Sequence, residues 1–118
     1  MKYFELYEFD CKCGCGLNNM SAALLAFLDD LREKCEFPFY IRSGSRCEHH
    51  NKEVGGKPWS DHLTGEGVDI KITTSQQWFK IIFFAIHLGF KRVGMGETFV
   101  HLGIKKTNTQ AVMWFYPK

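Results

Sequence analysis

Residues 67–89 constrain the fold more than any other part of this chain. "GVDIKIT" alternates, with Val68, Ile70 and Ile72 on one side and Asp69 and Lys71 on the other. That is the period of a half-buried strand. The pattern then changes at once. Thr74 or Ser75 can cap a helix that continues to about Leu88 and stops at Gly89. This helix is apolar nearly all round, which predicts that it is largely buried. It is no membrane span, because Lys80 and His87 interrupt the apolar run from Trp78 to Phe90. A strand that feeds straight into such a helix calls for a sheet with helices packed on it.

The flanking segments fit that plan. In "NNMSAALLAFLDDLREKCEF", Leu24, Leu25, Leu28 and Leu31 form one apolar stripe, with Asp29, Asp30, Arg32, Glu33 and Lys34 mostly opposite. Asn19 or Ser21 can cap this helix. "FYIRSGSR" predicts a short strand over Phe39 to Arg42, ended by a Ser-Gly turn. Cys47 to Thr64 carries Gly55-Gly56, Pro58 and many polar residues, and reads as a long ordered loop. Loops of that length in compact domains are often functional. "KRVGMG", "TFVHLGI" and "AVMWFY" predict three further strands. The expected fold is a single α+β domain over residues 1–118, with two principal helices on a small, mainly antiparallel sheet.

Composition narrows the function. The 118 residues are 45% hydrophobic and 15% aromatic, enough for one packed core. The net charge is only +2, from 15 basic and 13 acidic residues spread along the chain, which argues against a nucleic-acid binder with a basic stripe. Acidic residues in "MKYFELYEFD" stand where a signal peptide needs an unbroken apolar stretch. The expectation is a monomer without a membrane span, made in a cytoplasm.

Five cysteines, an odd number, do not read as a disulfide framework. Cys11, Cys13 and Cys15 are separated by one residue each, whereas the usual zinc turns leave two. They read as free thiols in a glycine-rich turn, with a structural metal as the alternative.

The chemistry gathers around "SDHLTGEGVDI". His62 precedes Asp69 by seven residues, and the turn containing Gly65 and Gly67 lies between them. His101 sits in a later predicted strand, while His49 and His50 fall in the long loop and His87 on the apolar helix. If the two strands lie near one another, His62, Asp69 and His101 meet. Two imidazoles and a carboxylate suit zinc with one open position. By spacing alone, a His near an Asp is a weak signal.

The wider wording is more specific. Ser43, Gly44 and Arg46 are followed by Asn51, Val54, Gly55 and Gly56, then Ser60, His62, Gly65 and Asp69, and finally Phe99, Val100 and His101. This ordered set resembles the zinc D-Ala-D-Ala carboxypeptidase family, which includes phage L-alanyl-D-glutamate endolysins, and looks closest to its short branch. The early "FDCKCGCG" and the closing "MWFY" also look like that branch. The resemblance implies a fold shared with the hedgehog signalling domain, and one Zn²⁺ held by His62, Asp69 and His101. It implies a peptidoglycan peptide as substrate, with Arg46 facing its carboxylate or the developing oxyanion. Ser60 is then placed to bond substrate or a ligand. The resemblance also implies that the chain reaches a cell wall by release or as part of a virion.

Two positions depart from the family pattern. An acidic general base commonly lies three residues before the last histidine, where this chain has Thr98. Parts of the short branch carry Asp two residues after that histidine, where this chain has Gly103. Glu97 is the expected base, because residues four apart on a regular strand share a face. Glu66, in the turn between ligands, is the other acidic candidate. The departures keep open a second function, a non-catalytic zinc-stabilised binding or structural module such as a phage tail component.

Overall fold

The computed structural model describes residues 1–117, and Lys118, the last residue of the expected domain, lies outside the described residues. A short 3-10 turn, Leu6–Phe9, leads to helix α1, Ala22–Cys35, and strand β1, Ile41–Ser43. Helix α2, Glu48–Glu53, and a 3-10 turn, Asp61–Thr64, precede strand β2, Gly67–Lys71. Helix α3, Ser75–Leu88, and strands β3, Arg92–Met95, β4, Phe99–Gly103, and β5, Val112–Phe115, complete the order. The expected α+β class is observed.

The five strands form one sheet in the order β1-β2-β4-β3-β5. All pairs are antiparallel except β3 with β5, which runs parallel. The parallel pair follows from the connection: Gly103 at the end of β4 and Val112 at the start of β5 both lie opposite Arg92, so residues 104–111 pass across the end of β3 without reversing along the sheet. One face of the sheet is apolar. Val68 and Ile70 of β2, Val93 of β3 and Val100 and Leu102 of β4 pack with Leu24, Leu28 and Leu31 of α1 and Ile81 and Ala85 of α3 in the core. The alternation that places these residues inward leaves Asp69 and His101 on the opposite face.

Both long helices begin at caps their sequences offer. Ser21 caps α1 by accepting from the Leu24 backbone N–H, and Thr74 caps α3 by accepting from that of Gln77. Gly89 ends α3 at φ 104°. Glu36 ends α1 in the same left-handed region, at φ 61°, without being glycine.

Three expectations need correction. The segment Cys47–Thr64 is no plain loop, since it contains α2, capped by the Cys47 side chain, and a 3-10 turn capped by Ser60. The first strand is shifted, covering Ile41–Ser43 in place of Phe39 to Arg42. Helix α3 is not largely buried: only Ile81 and Ala85 are, while Phe79, Phe83 and Ile86 are 71%, 52% and 51% exposed. One helix face meets α1 and the sheet, and a domain this small has no second layer for the other.

Candidate metal centre

The sheet register builds the site. Ser43 pairs with Asp69, Asp69 with His101, His101 with Gly94, and Gly94 with Trp114. These residues form one row across all five strands, on the face away from the helices. His62 joins from the 3-10 turn that precedes β2. Gly65 makes this approach possible, with φ 69° and its Cα so close to the backbone of Asn19 that a Cβ would collide with it.

His62, Asp69 and His101 are all buried, and one donor atom of each lies within 4.8 Å of the others. His62 Nε2 is 3.2 Å from Asp69 Oδ1, and His101 Nδ1 is 2.8 Å from the same oxygen. The outer nitrogens are both engaged. His62 Nδ1 lies 2.8 Å from the carbonyl oxygen of Gly44, and His101 Nε2 lies 2.8 Å from Asp61 Oδ2. With protons on those outer nitrogens, each neutral ring aims a lone pair at Asp69, which has only lone pairs to offer. Such a convergence needs a cation at its centre or a proton on an imidazole. Two nitrogens and one oxygen, with both tautomers fixed from behind, fit a zinc ion.

The electrostatics carry the same demand for positive charge. Burial alone favours a neutral His101, but hydrogen bonds to Asp61 and Asp69 outweigh it and raise its pKa to about 9. Burial pushes the Asp69 carboxyl up, yet the charges and hydrogen bonds of His62 and His101 hold it well below the usual carboxylate range. Asp61 is likewise lowered, its burial offset first by His101 and then by Arg92.

Asp61 is the residue that sequence reasoning missed. Besides His101 Nε2, its carboxylate accepts from Arg92 Nε at 3.1 and 3.2 Å and from Asn108 Nδ2 at 3.2 Å. It fills the space beside Gly103, where an added Cβ would collide with Asp61 Oδ2. The absent acid at position 103 thus has a carboxylate in its neighbourhood, supplied from another part of the chain. The available signal was the pair itself: an Asp directly beside a candidate ligand, and a Gly at position 103 where the family resemblance leads to an acid being expected.

Arg46 joins the cluster. Its Nη2 is 3.8 Å from Asp69 Oδ2 and 3.3 Å from Ser43 Oγ, and its Nη1 donates to Asn51 Oδ1 at 3.0 Å. Its Nε is buried with no hydrogen-bond partner among the described residues. Ser60 Oγ accepts from the His62 backbone N–H at 3.2 Å, so it orients the turn that carries a donor. Trp114 and Tyr116 wall the row near β5, with the Trp114 ring 5.6 Å from His101 and 6.1 Å from Tyr116. Desolvation and the negative charge of Asp69 push the Tyr116 phenol up to about 12.

The two acidic candidates are placed differently. Glu97 lies in the turn between β3 and β4, outside the regular strand, and is exposed. No hydrogen bond or ion pair among the described residues ties it to the cluster. Glu66 accepts from Thr64 Oγ1 at 2.6 Å and lines a separate hollow with Ser21, Phe27 and Lys91. His49 pairs with Glu53, and His87 is exposed on α3. No helix among the described residues is long and apolar enough to cross a membrane.

Comparison with curated proteins gives no match. A family model described as Peptidase M15 matches residues 2–103, which include every residue of the buried cluster, and the chain belongs to the peptidase M15 family.

Proposed function

We propose that this chain is a zinc peptidase that hydrolyses a stem or cross-link peptide bond of peptidoglycan. Family membership implies a zinc peptidase of the peptidoglycan type. The observation that carries the assignment is the convergence of His62 Nε2, Asp69 Oδ1 and His101 Nδ1, with each ring's other nitrogen fixed. These three residues would hold the zinc. When bound, zinc supplies the Lewis acidity that polarises a scissile carbonyl and makes water a nucleophile at neutral pH.

The chain's own groups supply the rest. Asp61 keeps the His101 proton on Nε2, and Gly44 keeps that of His62 on Nδ1, so the inward nitrogens stay free to ligate. Arg46 brings positive charge to within 3.8 Å of Asp69 Oδ2, which suits a substrate carboxylate or the developing oxyanion. Ser60 holds the His62 turn with its oxygen and keeps its hydroxyl proton to donate to substrate. Glu97 is the proton acceptor in this reading, and its exposed carboxylate is not held elsewhere among the described residues.

The test is incubation of the zinc-loaded protein with purified peptidoglycan, followed by identification of the new amino and carboxyl termini. Hydrolysis lost on chelation and restored by zinc supports the reading; an inert, zinc-loaded protein opposes it. The position of Glu97 in an exposed turn, with Thr98 and Gly103 at the two places where the family resemblance leads to acids being expected, favours the second reading, a zinc-stabilised binding or structural module. The same assay decides between them, because that module would bind zinc and cleave nothing.

A further inference from the structure

The N-terminal loop and the start of α2 bring four cysteines together away from the histidine cluster. The Sγ atoms of Cys11, Cys13, Cys15 and Cys47 all lie within 4.8 Å of one another. Cys11 Sγ is 3.5 Å from Cys13 Sγ, which is 3.7 Å from Cys47 Sγ. These separations are far beyond a disulfide bond of about 2.05 Å. They match a tetrahedron of thiolates around zinc, whose edges are about 3.8 Å when each Zn–S bond is ~2.3 Å. Cys35, the fifth cysteine, is fully buried in the core at the end of α1. The odd count is therefore four clustered thiols and one core residue.

The backbone is shaped to hold this cluster. Gly14 and Gly16, each at φ 86°, curl the loop so that thiols spaced by single residues turn toward one point. Cys47 arrives from 32 residues later in the chain than Cys15. The Cys47 backbone N–H donates to Cys11 Sγ at 3.4 Å, and the His50 N–H donates to Cys47 Sγ at 3.3 Å. N–H donors aimed at sulfur favour thiolates, the form that binds metal.

We propose that Cys11, Cys13, Cys15 and Cys47 form a structural zinc site, separate from the His62–Asp69–His101 centre. Four thiolates close the coordination shell, so this ion braces the fold and has no position for substrate. Its place explains what it braces. Cys47 directly follows Arg46, and Asn51 of the same helix accepts from Arg46 Nη1. The Ser45 N–H donates to the Phe9 carbonyl at 2.9 Å, and Gly44, whose carbonyl meets His62 Nδ1, packs on the Phe9 backbone. A metal that locks residues 11–15 to Cys47 thus fixes the segment that orients both Arg46 and His62.

Cobalt(II) reconstitution of the full chain tests this without reference to peptidase activity. The wild type is expected to bind two equivalents, with sulfur-to-cobalt charge transfer and strong tetrahedral ligand-field bands. Cys13→Ser/Cys15→Ser, at two exposed positions, should lose one equivalent together with the sulfur bands. His62→Ala/His101→Ala should lose the other equivalent and keep those bands. Absence of sulfur charge transfer in the cobalt-saturated wild type overturns the proposal, as does its persistence in the cysteine variant. Should either variant fail to fold, X-ray absorption at the zinc edge of the wild type serves instead. Sulfur neighbours at ~2.3 Å are expected, and a first shell of nitrogen and oxygen alone would refute the site.

Discussion

Asp69 and His101 stand directly opposite one another on β2 and β4, and His101 Nδ1 lies 2.8 Å from Asp69 Oδ1. One strand pairing therefore fixes two of the three donors, and the register that buries Val68, Ile70, Val100 and Leu102 fixes the pairing. A slip of one residue by either strand would turn its donor into the core and its core residues outward. Core packing and site geometry are the same constraint here.

Asp61→Ala should weaken zinc binding. It removes the carboxylate that holds His101 Nε2 and leaves Arg92 Nε without its acceptor. Loss of such a supporting partner typically costs about 10–100-fold in metal affinity. Competition titration against a chelator measures it. The double variant Asp61→Gly/Gly103→Asp, which moves the carboxylate to the neighbouring backbone position, should recover part of the loss. Unchanged affinity in Asp61→Ala would remove Asp61 from the account.

The metal-free protein should have a defined pH profile. His101 titrates at about 9 in the fold, above its ordinary value, so the stability it contributes is complete below pH ~6.5 and is lost as pH rises toward 9. Asp69 and Asp61 titrate below their ordinary values, so their contribution is present above pH ~4 and is lost in stronger acid. The melting temperature without metal should be highest between those limits and fall from pH ~6.5 to 9. Zinc must displace the His101 proton, so its affinity should rise over the same interval. Thermal melts with and without zinc should diverge increasingly as pH is raised.

Glu97→Gln should retain fold and zinc but lose turnover on peptidoglycan. General-base catalysis contributes ~10²–10⁴-fold, and the amide removes proton acceptance at nearly constant size. Glu66→Gln should be nearly silent, since Glu66 bonds to Thr64 and faces another hollow. Near-normal activity in Glu97→Gln, with loss in Glu66→Gln, would reverse the assignment.

Gly65→Ala should destabilise the fold and reduce zinc binding together. Position 65 is left-handed, which costs an L-residue roughly 1–2 kcal/mol. The added Cβ also collides with the Asn19 carbonyl. Relief requires moving the turn that presents His62, so melting temperature and zinc affinity should fall in parallel. Loss of stability with unaltered zinc affinity would separate the turn from the site.

Much of this was legible in the sequence because it rests on local periodicity. The alternation in "GVDIKIT", the leucine stripe of α1 and the Thr74 and Gly89 caps follow from neighbouring residues alone. His62, Asp69 and His101 could be placed together once two strands were expected to lie close. What escaped depends on contacts distant in the chain. The parallel β3–β5 pair, the bond from Asp61 to His101 forty positions on, and the meeting of Cys47 with the N-terminal loop leave no periodic trace. Helix α3 shows the opposite limit: its apolar pattern overstated burial, because pattern does not reveal which neighbours exist to cover a face.

The central claim is that zinc sits between His62, Asp69 and His101, and anomalous diffraction at the zinc edge from crystals of the zinc-loaded protein tests it most directly. The account predicts a peak ~2.0–2.1 Å from His62 Nε2 and His101 Nδ1 and ~2.0–2.2 Å from an Asp69 oxygen, absent in His62→Ala. No peak at that position in zinc-saturated crystals, or an undiminished one in His62→Ala, would contradict it.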